Sequence, residues 1–150
     1  MHSKIIRCIL IDDEPLALEV LKAHLANHEN IEVVSTFSNG GDAIAWLNNN
    51  TVDVVFTDIN MPGISGLELV KHQYPAPHAV IFTTAHPNYA ADAFEFEALD
   101  YLLKPIDPEE LNNSIISDFP GWIQTLIVIG AILFVYFGGK YIIVPLLHFI

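Results

Sequence analysis

Val52-Asp53-Val54-Val55-Phe56-Thr57 is a largely apolar run that leads into Asp58 and then into the turn chemistry of Ile59-Asn60-Met61-Pro62-Gly63. A short β-branched and aromatic run without alternation reads as a strand buried on both faces. Pro62-Gly63 then marks the chain's turn away from the sheet. The same grammar recurs on either side. Ile5–Ile11 ends in Asp12-Asp13-Glu14, Ala79–Thr84 ends in Thr83-Thr84-Ala85, and Asp100–Leu103 ends in Lys104-Pro105. Ile31–Phe37 supplies a fifth candidate strand.

Helical stretches fill the gaps. Pro15 opens one with Leu16, Val20, Leu21 and Leu25 at helical spacing. Gly41–Leu47, Leu67–Lys71 and the alanine-rich Tyr89–Phe96 follow. Asp107-Pro108-Glu109-Glu110 is a helix start, with Asp107 as cap, and Leu111, Ile115 and Phe119 share the face behind it. Five strands alternating with five helices predict an α/β, doubly wound, five-stranded parallel sheet. Such sheets carry their sites at the carboxyl ends of the strands.

Asp12, Asp13 and Asp58 stand at those ends, with Thr84 and Lys104. Converging carboxylates repel one another and invite a hard cation. Mg2+ suits them, because it takes few protein oxygens and brings phosphate oxygens with it. A lysine and a hydroxyl complete a phosphoryl-binding set.

The pieces ILIDDEP (9–15), VVFTDINMPGISGLEL (54–69), VIFTTAH (80–86) and DYLLKPID (100–107) resemble a response-regulator receiver domain of two-component signalling, over residues 5–116. FTTAHPNYAADAFEFEALDYLLKPI (82–106) is similar to receivers that precede LytTR-type DNA-binding domains. The resemblance implies a flavodoxin-like receiver fold and assigns roles. Asp58 is the phosphoacceptor, served by a sensor histidine kinase. Asp13 ligates Mg2+ directly, Asp12 acts mainly through water, and the backbone carbonyl of Asn60 is a further ligand. Lys104, with a cis peptide before Pro105, pairs with the phosphoryl group. Thr84 hydrogen-bonds it, and Tyr101 turns inward as Thr84 moves. A receiver of this kind phosphorylates and dephosphorylates itself and is not a turnover enzyme on an external substrate.

Other readings fit less well. A haloacid-dehalogenase-type phosphatase needs a second aspartate where Asn60 stands. A flavodoxin-like cofactor binder would set a phosphate against Asp12-Asp13-Glu14, which repels it. His24 and His28 read as a solvated helix end, His72 and His86 have no evident partner, and Trp46 reads as packing. The single cysteine, Cys8, lies in an apolar run and reads as a small buried hydrophobe.

Charge and hydropathy divide the chain. Of its 150 residues 52% are hydrophobic, yet its net charge is −12. Residues 1–120 hold all eighteen acids against five bases, a net −13 that argues against direct nucleic-acid binding. Residues 121–150 hold no acid and one base, Lys140. The expectation is a cytoplasmic receiver domain at 1–118 and a hydrophobic segment at 119–150, with a transmembrane helix over about 121–139. Trp122, Tyr136 and Tyr141 would be its interface aromatics. No basic DNA-binding segment follows the receiver here. A membrane-anchored interaction module without signalling, or a truncated or fused regulator, is the alternative. The short helix after Lys104-Pro105 leaves self-association open.

Overall fold

The computed structural model describes residues 5–72, 79–89, 100–117, 132–137 and 140–145. The chain divides into two compact units, Met1–Ser114 and Ile115–Ile150. In the first, β1 (Ile6–Ile11), β2 (Ile31–Phe37), β3 (Val54–Asp58), β4 (Ala79–Thr84) and β5 (Asp100–Leu103) form one sheet of order β2-β1-β3-β4-β5. Every pairing in it is parallel. Helices α1 (Pro15–Leu25), α2 (Gly40–Leu47), α3 (Gly66–Lys71) and α4 (Pro108–Ser117) lie between or after the strands. Beyond Tyr89, the helix expected over Tyr89–Phe96 falls outside the described residues; Pro87–Tyr89 itself is a 3-10 turn.

All five residues of β3 are buried, as its continuous apolar run requires of a central strand. In β1 side chains alternate between two covered faces. Ile9 and Ile11 pack with Val55, Ala43, Leu47, Met61 and Leu69 on one side. Cys8 and Leu10, equally buried, point to the other. Burial pushes the Cys8 thiol up to about 12, helped by the charges of Asp53 and Glu32, so Cys8 is neutral and packs as a hydrophobe. Trp46 sets its ring against Phe37, with centroids 5.8 Å apart.

The structure redraws two helix readings. The buried stripe of α1 runs through Leu21 and Leu25, while Leu16 and Val20 are 75% and 41% exposed. All four fit a helical period, but only tertiary placement chose which stripe meets the sheet. In α4, Asp107 caps as expected, accepting from the backbone N–H of Glu109 (2.7 Å) and Glu110 (3.3 Å). Ser114, whose type weakens a helix on its own, is buried, with its one hydroxyl proton within reach of the Asp100 carboxylate on β5 and the Glu110 carbonyl.

The turn from β3 to α3 brings the backbone very close to the end of β3. Gly63 has φ +83°, which favours glycine. Ser65 and Glu68 form a reciprocal capping box that starts α3 one residue earlier than Leu67. A β-carbon on Gly66 would lie 2.2 Å from the carbonyl oxygen of Asp58.

In the second unit, β6 (Ile132–Phe137) and β7 (Lys140–Pro145) form an antiparallel pair with Phe137 opposite Lys140. This corrects the expected helix over 121–139, because its described part, 132–137, is a strand. Ile-Leu-Phe-Val-Tyr-Phe is rich in β-branched and aromatic residues, and Gly138-Gly139 is a sequence that two-residue hairpin connections favour. Residues 121–131 and Phe119 lie outside the described residues. Among the described residues no helix is long and apolar enough to cross a membrane.

Gly66→Ala is expected to destabilise the protein by about 2 kcal/mol or more in urea denaturation, since a backbone oxygen at the strand end must move. Gly41→Ala, whose new β-carbon would meet only the Asn39 side chain at 3.4 Å, is the control and should be neutral or stabilising.

Candidate functional site

Four parallel strands end at one edge of the sheet and deliver its polar residues together. Asp12 follows β1, Asp58 and Thr84 close β3 and β4, and Lys104 follows β5. Asp12, Asp58 and Thr84 are each no more than 4% exposed. The Lys104 backbone N–H donates to the Thr84 carbonyl at 2.8 Å, which prolongs the β4–β5 ladder and fixes where the lysine leaves the sheet. The Lys104-Pro105 peptide is cis.

From there the Lys104 ammonium reaches three carboxylates. It lies 2.7 Å from Asp12 Oδ2, 3.2 Å from Glu14 Oε1 and 3.5 Å from Asp58 Oδ2. One positive charge faces three negative ones, so the cluster is left under-neutralised. Burial raises the Asp58 carboxyl above the ordinary aspartate range. The charge of Lys104 opposes that rise, and the charge of Asp12 adds to it. Burial would lower the Lys104 ammonium, but its hydrogen bond to Asp12 and the charges of Asp58 and Asp12 outweigh this and raise it. The lysine is therefore firmly cationic, while Asp58 carries a charge its surroundings only partly offset.

The carboxylates that gather within 4.8 Å of one another, among the described residues, are those of Asp12, Glu14 and Asp58. Glu14 stands in this group where the sequence pointed to Asp13, which is half-buried and outside it. No spacing rule marks Glu14, because its place in the group depends on where the lysine from β5 ends. Three carboxylates with one ammonium form an oxygen-rich, net-negative donor set that fits a hard divalent ion such as Mg2+. Asn60 sits beside it, with its backbone N–H directed at Asp58 Oδ1 at 3.4 Å.

Thr84 and Tyr101 converge on one residue. Thr84 Oγ1 accepts from the His86 N–H at 3.1 Å, and the Tyr101 hydroxyl donates to the His86 carbonyl. Burial raises the Tyr101 phenol, which keeps its donor proton in place. Its ring packs against the buried pair Ile59 and Phe82. His86, which the sequence left without a partner, thus links the two side chains through its backbone.

The family model for the response regulator receiver domain matches residues 8–116. The chain belongs to that family. Its receiver is 43% identical over 111 residues to the transcriptional regulatory protein BtsR of Escherichia coli, covering 73% of this chain and 46% of that one. The chain thus spans about half the length of the curated relatives it matches. The crystal structure of the response regulatory domain of MrkE from Klebsiella pneumoniae superposes with a TM-score of 0.71 at 34% identity, covering 79% of this chain and 99% of that one. The isolated receiver of RcsB from Salmonella enterica, solved in the presence of the phosphomimetic BeF3-, gives 0.68 at 25% identity, covering 75% and 87%.

A raised Asp58 in this receiver has a definite sign. The folded chain holds that proton to higher pH than the unfolded chain, so ionising Asp58 costs stability as pH rises past about 4. In metal-free buffer Asp58→Asn is expected to be more stable than wild type at pH 7. The gap should shrink toward zero as the pH falls below about 4, followed by thermal denaturation across pH.

Proposed function

We propose that this chain is a phosphorelay receiver in which Asp58 accepts a phosphoryl group from the phosphohistidine of a sensor histidine kinase. The observation that carries this is the buried Asp58 carboxylate at a strand end, 3.5 Å from a lysine ammonium shared with Asp12. Phosphoryl transfer needs positioning and charge neutralisation more than covalent help. The RcsB receiver solved with a phosphomimetic supports the same reading by kinship.

In this mechanism an Asp58 oxygen forms the new bond to phosphorus as the phosphorus–nitrogen bond of the donor breaks. The imidazole leaves with that electron pair. Lys104 offsets charge on the phosphoryl oxygens. Asp12, Asp13, Asp58 and the Asn60 carbonyl would hold Mg2+, which would supply further positive charge to the same oxygens. The added phosphoryl group gives the Thr84 hydroxyl a new acceptor. Thr84 then gives up the His86 N–H, and the His86 carbonyl that holds the Tyr101 hydroxyl moves with it. Tyr101 turns inward, and the equilibrium between two receiver states shifts. The chain modifies itself and turns over no external substrate.

The BtsR name supports transcriptional control as the output of a full-length relative; for this chain the output partner is a separate question. The same reading places residues 1–118 in the cytosol, within reach of a kinase, and gives the apolar residues 119–150 to the membrane. Among the described residues β6 and β7 form a two-stranded sheet whose outer edges lipid would penalise, so these two strands by themselves do not make a span.

Incubation of the full chain with Mg2+ and phosphoramidate is expected to add one phosphoryl group by intact mass. Asp58→Asn should abolish it, and equal labelling of the two proteins sinks the assignment. Thr84→Ala should still be labelled but lose the change in Tyr101 environment seen by NMR. In cells the full-length chain should stay with membranes through alkaline carbonate extraction; release would rule out an embedded tail.

A further inference from the structure

The ammonium of Lys104 makes its shortest bond, 2.7 Å, to Asp12, a carboxylate that a divalent ion needs. It is also 3.5 Å from Asp58, the other buried carboxylate. An ammonium packed on Asp12 and Asp58 opposes a divalent ion held by Asp58 directly and by Asp12 through water, since like charges a few ångströms apart repel strongly in a half-buried site. Lysine carries its charge on a flexible four-carbon stem, so it can yield by a small swing. The third partner decides where it goes. Glu14 Oε1 lies 3.2 Å from Nζ, and the Glu14 side chain is 65% exposed at the mouth of the site. The phosphotransfer reaction gives Glu14 no other task.

We infer that Glu14 is a positioning residue for Lys104, receiving the ammonium when a divalent cation takes Asp12 and Asp58 and thereby setting the affinity for that cation. In the cation-free protein Glu14 is one of three acceptors for the lysine. In the cation-bound protein it is the carboxylate left to the ammonium, so its bond counts for more there than in the free state. The inference rests on the reading of Asp12 and Asp58 as cation ligands. The rival role is direct ligation, because a Glu14 oxygen lies within 4.8 Å of the other two carboxylates.

A double-mutant cycle separates the two roles. Mg2+ is titrated calorimetrically into the full-length wild type, Glu14→Gln, Lys104→Met and the double variant, with circular dichroism as the check on folding. Lys104→Met is expected to tighten Mg2+ binding by removing the competing charge. Glu14→Gln is expected to weaken binding about three- to fivefold where Lys104 is present, the scale of a partly exposed ion pair, and to change it less than about twofold where Lys104 is absent. Equal weakening in both backgrounds overturns the inference in favour of direct ligation. Tighter binding by Glu14→Gln also overturns it, because the glutamate would then be holding the lysine in the ion's way. An unchanged Glu14→Gln beside a wild type that binds Mg2+ overturns this inference alone. A wild type that binds no Mg2+ overturns it together with the cation-site reading.

Discussion

One lysine ammonium shared among three carboxylates is the interaction on which the site depends. Lys104 reaches Asp12, Glu14 and Asp58 because the β5 ladder delivers its backbone next to Thr84. Without that positive charge, Asp12 and Asp58 would sit buried side by side with nothing to offset them, an arrangement that favours protonation over a free carboxylate. With it, the cluster is held together but left short of positive charge, a donor set that could hold a metal ion.

The scaffold packs closely behind this cluster. β3 is buried along its whole length, and the turn behind it folds back until Gly66 meets the Asp58 carbonyl. The Ser65–Glu68 capping box fixes where α3 begins, so the close approach is built from local hydrogen bonds as well as from packing. On the other side, Thr84 and Tyr101 are tied to the two backbone groups of His86. Thr84 at the site and a half-buried aromatic are therefore linked through a single residue, with no long chain of contacts between them.

Much of the first unit was legible because apolar runs and turn residues act locally. The five strands, the Asp107 cap and the placing of Asp12, Asp58, Thr84 and Lys104 at strand ends all followed from pattern. What pattern missed depended on neighbours distant in sequence. Leu16 and Leu21 fit the same helical period, but only one of them faces the sheet. The place of Ser114 in α4 depends on its hydroxyl meeting Asp100 on β5. The tail read as a helix because its hydropathy is unbroken, and hydropathy carries no information on whether backbone groups pair within a segment or between two.

The sequence by itself determined the alternation of buried strands with helices, the acidic excess of residues 1–120 and the residue types at each strand end, since each of these follows from side-chain chemistry over a few neighbours. Only the tertiary structure decided that Glu14, with Asp12 and Asp58, gathers around Lys104, that Gly66 must lack a β-carbon, and that Ile132–Phe137 pairs with Lys140–Pro145. Those outcomes turn on distances between residues far apart in the chain, which are fixed when the strands take their order in the sheet.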